Sequence, residues 1–487
     1  MSLSKRIARG VKATFGAELL RLAAQAGIIL LLTRVFLGPE GYGLVFLAIS
    51  VFSIATLLGT LGIPKSTAKF LAEYRERDDG QVRYILRTSL GFNAVTVVIV
   101  CTAFFFLADT IADVYGEPAL QSLLALGVVY IVLKVAHGYL LIAFQGLGKV
   151  PLTALTSTVS SVGHLSFITL FLGLGFGTVG ALAGYVAGYA VAVLVGGFFL
   201  YRVVSTYPRS DDPDSGLRRR ILEYSLPLTA SQGGNVLYKR VDTLMVGFFL
   251  TPVAVGFYEL AKQVSTFVIA PADSLGFTIA PTFGENKSSE QLERAARVYE
   301  QSLKYVLLLY LPAVGGIVLL AEPGIQFIFG DEFSGAATVL QIFSVFVLFQ
   351  AVDKITNDSL DYLGRATERA IGKGVTGMLN FGLNLALIPM IGVEGAALST
   401  SICFGLMVLF NIYLMSQELV LDWVRIGRFT GGAIAITAVM VMIVYTLEPY
   451  VDGIASLFAV IAAGVLVWGI ASVVSGFIDP SEVKTHI

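Results

Sequence analysis

Lys239, Arg240 and Asp242 stand almost side by side in the middle of a long apolar stretch of the sequence. They lie about 8 to 11 residues from its end, roughly 12–17 Å by helical rise. At that depth a charged head is hard to bring to water, and a charge kept in apolar surroundings marks a pathway by default. Arg21, Arg34, Lys134, Lys262 and Lys354 are embedded cations of the same kind, and Asp273, Asp353 and Asp358 are embedded acids. Several have a local alternative. Glu18 and Arg21, and Glu259 and Lys262, are spaced i,i+3, and Lys354 and Asp358 i,i+4, which suits pairing along one helix face. Arg34 lies near the end of its stretch and is placed to snorkel. Lys134 and His137 share a helix face, and His164, alone in its stretch, is expected as a hydrogen-bonded packing residue.

The elements that hold these groups must be membrane helices. Of 487 residues 56% are hydrophobic and 14% charged, where a soluble domain has about 25% charged residues. The apolar runs number about fourteen and are about 20 residues or longer, the length of a spanning helix rather than of a barrel strand. Cys101 and Cys403 sit singly inside apolar runs and form neither a disulfide framework nor a metal site. The N-terminus has no small-residue cleavage signature, so the first run reads as the first span.

Lys and Arg occur in every second connection. They cluster at Lys5 to Lys12, Lys65 to Arg87, Lys149, Arg202 to Arg220, Lys287 to Lys304, Arg365 to Lys373, and Arg425 with Arg428. The connections between these are acidic or neutral: Glu40; Asp109, Asp113 and Glu117; Glu322, Asp331 and Glu332; Glu394; Glu448 and Asp452. Basic connections stay cytoplasmic, which predicts a multi-pass protein of the cell (plasma or inner) membrane with both termini inside. Amphipathic Lys65 to Arg77 is expected along the inner headgroups.

The chain also repeats itself. Phe36-Leu-Gly-Pro-Glu-Gly-Tyr-Gly43 matches Phe249-Leu-Thr-Pro-Val-Ala-Val-Gly256. Gln145-Gly-Leu-Gly-Lys149 matches Asp361-Tyr-Leu-Gly-Arg365, and Phe176-Gly-Thr-Val-Gly-Ala181 matches Ile391-Gly-Val-Glu-Gly-Ala396, in order and at a nearly constant offset. Two parallel six-helix halves follow, an arrangement of transporters that rock about a midplane site. The expected organisation is an N-terminal six-helix lobe over 1–204 and a cytoplasmic linker over 205–219. A C-terminal six-helix lobe over 220–416 and two accessory helices with a cytoplasmic tail over 417–487 complete it.

No P-loop, His-Glu-x-x-His or Gly-x-Ser-x-Gly sequence occurs, and His137, His164 and His486 are the only histidines. The outer connections are too short for a catalytic domain. The expectation is a protein that is not an enzyme, without cofactor or bound metal. Topology explains the basic segments, so no nucleic-acid partner is implied.

Leu37-Gly-Pro-Glu-Gly-Tyr-Gly43, Leu61-Gly-Ile63 and Lys69-Phe-Leu-Ala-Glu-Tyr74 resemble the first-hairpin signature of polysaccharide flippases. Arg240-Val-Asp242, Gly247-Phe-Phe-Leu250 and Gly256-Phe-Tyr-Glu-Leu-Ala261 resemble its counterpart in spans seven and eight. These flippases belong to the multidrug/oligosaccharidyl-lipid/polysaccharide exporter superfamily. The resemblance covers essentially the whole chain. It implies an all-α integral membrane fold of about fourteen helices, V-shaped with two pseudo-symmetric lobes plus two C-terminal helices. It also implies alternating-access transfer of a polyprenyl- or dolichyl-(pyro)phosphate-linked oligosaccharide to the outer leaflet, for a surface glycan or protein glycosylation. Arg21, Arg34, Lys134, Lys239, Arg240 and Lys262 would then hold the phosphate headgroup. Asp242, Asp273, Asp353 and Asp358 would bind H+ or Na+ or pair with charges. Asn235, Gln232 and Tyr238 are placed to contact sugar hydroxyls. Membrane lipids and glycan-assembly enzymes are the expected partners, and a monomer the expected state. An ion-coupled drug or cation antiporter of the same superfamily is the alternative, and it calls for acids rather than cations along the path. A membrane glycosyltransferase would need a large outer loop that the sequence lacks.

Overall fold

The computed structural model describes residues 3–209, 214, 216–288 and 291–477. Residues 210–213 and 215 of the expected linker, and the tail from 478 with His486, lie outside the described residues. The described residues form helices and turns without a strand. The helices are α1 (Leu3–Leu30), α2 (Pro39–Thr60), α3 (Ile63–Arg77), α4 (Gln81–Tyr115), α5 (Pro118–Leu124), α6 (Gly127–Gly146), α7 (Val150–Gly173) and α8 (Gly177–Ser205). They continue as α9 (Leu217–Phe249), α10 (Pro252–Ser288), α11 (Leu292–Phe329), α12 (Gly335–Tyr362), α13 (Ala366–Ile391), α14 (Val393–Glu418), α15 (Trp423–Leu447) and α16 (Ile454–Val474).

Among the described residues, 13 helices are long and apolar enough to cross a membrane. The protein is a multi-pass, all-α membrane protein. Helix α9, which carries Lys239, Arg240 and Asp242 and the polar stretch Ser231 to Asn235, is not among those 13. The run expected as the fourth span is broken into α5 and α6. At the break Gly127 sits against the rings of Phe104 and Phe52, where a Cβ would be only 2.4 and 2.6 Å from ring carbons. Solvation is inverted relative to a soluble protein. Val98, Ile99, Phe105 and Phe106 of α4 point outward, whereas Ser50, Ser66, Ser89 and Asn93 are buried.

The chain divides into two compact units, 1–255 and 256–487. In the first unit, α7 and α8 make the most extensive contact, and α1 and α6 flank them. Gly180, Gly184, Gly188, Ala192 and Gly196 recur every four residues along α8. Small residues at this spacing let two membrane helices touch backbone to backbone. A Cβ on Gly184 would lie 2.6 Å from the Ile168 nitrogen, and one on Gly188 would lie 2.7 Å from the His164 nitrogen.

Helix α9 packs on α2, α3 and α4. The chain reverses between α2 and α3 through Leu61 and Gly62, both left-handed (φ 42° and 69°). Gly62 is needed for a second reason, since a Cβ there would meet the Ser225 carbonyl oxygen of α9 at 2.5 Å. The reversal orphans the Gly59 carbonyl at the end of α2. Asn93 Nδ2 (2.8 Å) and Thr96 Oγ1 (2.6 Å) of α4 donate to it. The start of α9 is then fastened to α3: Ser66 Oγ donates to the Ile221 carbonyl at 2.8 Å, and Leu217 and Ile221 join a core with Phe70, Leu71, Tyr74 and Tyr139.

Tyr74 Oη donates to Asp214 Oδ2 at 2.7 Å and accepts from Arg220 Nη1 at 2.9 Å. The bond from Tyr74 holds the Asp214 carboxyl below the usual carboxylate range, and burial pushes the Tyr74 hydroxyl up. A lowered folded-state pKa stabilises the docked form above the ordinary carboxylate value, and that contribution is lost as pH falls through the lowered one. Amides 217–221 are therefore expected to exchange faster with deuterium as pH falls through that range, once corrected for intrinsic exchange. Asp214→Asn should flatten the profile, and an unchanged profile in the variant would discard the link.

In the second unit α11 and α12 pair, α14 joins α12 and α13, and α15 and α16 pack on α11. Pro312 inside α11 has no N–H to give the Leu308 carbonyl. The indole Nε1 of Trp468 in α16 fills the vacancy at 2.8 Å. This bond anchors the last helix beside Pro312, and Met440, Val444, Leu457 and Val460 close the apolar contact between α15 and α16.

Candidate functional site

The first unit gathers polar groups from four of its helices. Lys134 and His137 come from α6, His164 from α7, Tyr185 and Tyr189 from α8, and Arg240 from α9. Tyr189 is the centre. Lys134 Nζ donates to its hydroxyl, and the ammonium also lies 4.5 Å from the ring centroid. His164 meets the ring edge-on at 4.4 Å between centroids, His137 stands at 5.3 Å and Tyr130 at 5.6 Å. Tyr185 contacts His164 at 5.0 Å. Arg240 lies within electrostatic reach of Tyr130, Tyr185 and Tyr189. Close packing of α7 on α8 at Gly184 and Gly188 is what brings His164 to Tyr189.

The charge balance of this cluster is its main chemical feature. Neither Lys134 nor Arg240 forms an ion pair among the described residues. Nε2 of both buried histidines has no hydrogen-bond partner there. Two cations, two ring nitrogens without partners and aromatic hydroxyls amount to a positively charged site with both donors and acceptors in apolar surroundings. Such a site suits an anion with hydroxyl-bearing neighbours. Expected as a hydrogen-bonded packing residue, His164 packs against Tyr185, Tyr189 and the Gly188 backbone with Nε2 unpartnered among the described residues, so it belongs to this cluster.

The other residues singled out from the sequence lie elsewhere. Arg21 is held by Glu18, Nε to Oε2 at 3.0 Å, and reaches Gln25 at 3.3 Å. Arg34 is exposed on a π-helical turn, Leu31–Phe36, that ends the first span. On α9 the neighbours of Arg240 diverge, with Lys239 exposed and Asp242 buried. Lys262 pairs with buried Glu259 at 3.3 Å.

The second unit holds a separate acidic site. Asp353 of α12 is buried and accepts from Asn411 Nδ2 of α14 at 2.9 Å. One turn on, Thr356 shares a hydrogen bond of 2.9 Å with Tyr299 of α11. Lys354, Arg369 and Lys373 lie within electrostatic reach of Asp353. Lys354 forms its ion pair with Asp273 of α10, and Asp358 stays within reach of the same lysine.

The signature of polysaccharide biosynthesis proteins matches residues 7–286, more than half of the chain and all of the helices that build the Tyr189 cluster. The chain belongs to the polysaccharide biosynthesis protein family. A second signature, MatE, matches residues 227–386 of this family member. The polysaccharide biosynthesis protein is 27% identical over 224 residues to a probable low-salt glycan biosynthesis flippase, Agl15, of Haloferax volcanii. That match takes in 46% of this chain and 48% of the relative, so it spans about half of that protein. Identity to the lipid II flippase MurJ of Bacillus subtilis is 22% over 481 residues, covering 90% of this chain and 88% of MurJ. A solved structure of lipid II flippase MurJ in an inward closed conformation superposes with a TM-score of 0.76. It shares 17% identity and covers 96% of this chain and 98% of its own. This family member therefore has the fold of the flippases its first-hairpin motif resembles.

Sequence reasoning singled out Lys134 and Arg240 and set His137 on the face of Lys134, but it read His164 as packing and missed the tyrosines that join them. Their signal was present: Tyr185 and Tyr189 are spaced i,i+4 and each directly follows a glycine of the α8 stripe.

Proposed function

We propose that the protein is a flippase for a polyprenyl- or dolichyl-(pyro)phosphate-linked oligosaccharide, moving it from the cytoplasmic to the outer leaflet by alternating access. The observation that carries this reading is the pair of cations, Lys134 and Arg240, gathered around Tyr189 without a carboxylate partner among the described residues. A phosphate ester crossing an apolar medium needs such compensation. Arg240 and Lys134 bind the headgroup. His137, His164 and the tyrosine hydroxyls bind the adjoining sugar or bridging oxygen. Arg21, Arg34, Lys239 and Lys262 stand along the route rather than in this cluster. Membership of a polysaccharide biosynthesis family supports a glycan cargo. The glycan is destined for the cell surface or for protein, the chain acts as a monomer in the cell membrane with both termini cytoplasmic, and assembly enzymes supply the loaded lipid.

The test is transfer of a fluorescent lipid-linked oligosaccharide across proteoliposomes. Net movement to the opposite leaflet without ATP is expected. If such lipids stay put while an organic cation is exchanged for H+ or Na+, the antiporter reading replaces this one.

Coupling falls to Asp353, the buried acid that a proton or Na+ would neutralise, with Asp273 and Asp358 beside Lys354 in the same unit and Asp242 pairing with charge in the first unit. Asp353→Asn keeps the shape and leaves the carbonyl oxygen that faces Asn411. The variant is expected to fold normally and to transfer about tenfold more slowly, with no response to an imposed ion gradient. Retained gradient dependence in the variant would remove Asp353 from the coupling role.

A further inference from the structure

A second basic site lies outside the Tyr189 cluster, where α3 meets the start of α9. Two adjoining cavities of about 300 and 330 Å³ open there and share Lys69 and Tyr224. Lys65 and Lys69 sit one turn apart on the same face of α3, both exposed, and neither has an ion pair among the described residues. Like charges at i,i+4 repel along a helix, so an anion between them would relieve both. Lys69 Nζ already stands 3.6 Å from the Tyr224 ring centroid, which fixes the ammonium at the mouth of the groove. Arg220 lines the same groove. The one acid lining it, Glu223, is held by Arg219 across a single turn.

The groove is charged at one end and apolar at the other. Leu228 and Ile142 form part of its wall. A free inorganic anion would use only the charged end. A phosphate carried on a lipid chain uses both.

The site is also built rather than accidental. Gly62 permits the approach of α3 to α9, and Gly146 of α6 lies so close to α3 that a Cβ would be 2.7 Å from Ala68 Cα. These contacts fix the spacing between Lys65, Lys69 and Tyr224.

We infer that the groove between α3 and α9 binds the phosphate headgroup of a lipid, with Lys65 and Lys69 as the charge partners and Leu228 and Ile142 along its chain. The binding does not require the protein to be a flippase. Only the identity of the natural lipid rests on that reading, where the groove would be a loading site distinct from the Tyr189 cluster.

The test is equilibrium binding of radiolabelled farnesyl phosphate to the purified full chain in detergent, with Arg240→Ala present throughout so that this groove is read apart from the Tyr189 cluster. In that background, K65Q/K69Q should weaken binding at least about tenfold. K65R/K69R, which keeps the charge, should retain it. Equal binding by the K65Q/K69Q chain overturns the inference, provided its melting temperature is unchanged. If its melting temperature falls, loss of binding in K65R/K69R despite a normal melting temperature overturns it instead. Farnesol binding as tightly as farnesyl phosphate would reduce the site to an apolar patch, and inorganic phosphate competing at equal concentration would make it a free-anion site. Either result overturns the lipid assignment. Because no transport is measured, a failed flippase assay leaves this outcome untouched, and the converse also holds.

Discussion

Arg240→Ala is expected to reduce oligosaccharide-lipid transfer by about two orders of magnitude while insertion and folding remain normal. Removing one partner of a desolvated charge pair costs about 2–5 kcal/mol, and each 1.4 kcal/mol is a tenfold change in rate. The apo protein should tolerate the change well, because Arg240 has no ion-pair partner to abandon among the described residues. Arg240→Lys keeps the charge but not the fork that holds two phosphate oxygens, and should recover part of the rate. Lys134→Ala in the Arg240→Ala background should cost less than it does alone, because both cations serve one group. The measurement is initial transfer rate in proteoliposomes with matched protein content. A wild-type rate in Arg240→Ala would discard the site and leave the fold and family intact.

Gly184→Ala should be strongly damaging, a single methyl pressed into the α7–α8 contact. Its Cβ would sit 2.5 Å from Ile168 Cγ1 and 2.6–2.7 Å from Ile168 backbone atoms. A side chain can rotate away, but backbone cannot, so α7 and α8 must separate. Overpacking of this kind costs about 1–3 kcal/mol, and it would pull His164 away from Tyr189. Both melting temperature in detergent and transfer rate should fall. Gly138→Ala on α6 is the control: a Cβ there meets nothing within 4 Å. It should leave stability unchanged or raise it by up to about 1 kcal/mol through helix propensity. Equal melting temperatures for the two variants would show that α8 does not need its glycine stripe.

The embedded charges were the most legible part of the candidate site, and for a simple reason. A lysine or arginine in a long apolar run is conspicuous whatever it touches, so Lys134 and Arg240 could be picked out singly. Which charges belong together was not legible. Lys239 and Arg240 are neighbours in sequence but differ in exposure, because successive residues on a helix point about 100° apart. Local pairing could be anticipated from spacing for Glu18 with Arg21 and for Glu259 with Lys262. For Lys354 the ion pair came from Asp273 on another helix, which no spacing rule reaches.

By itself the sequence determined an all-α, multi-pass membrane protein, because hydrocarbon leaves a backbone no choice but to satisfy its own hydrogen bonds. Its motifs were also enough to name the family, since Leu37 to Gly43 and Lys69 to Tyr74 lie in the matched region. Tertiary structure alone decided that α9 packs on α2, α3 and α4, where the sequence repeat had placed its residues with the second lobe. A repeat reports likeness between segments, whereas packing follows close approach, and Gly62 against Ser225 sets that approach here. Tertiary structure alone also brought Lys134, His137 and His164 to Tyr189, with Arg240 in electrostatic reach. The α6 pair, His164 and Tyr189 lie on three different helices, and glycine-mediated contact of α7 on α8 brings His164 to the ring.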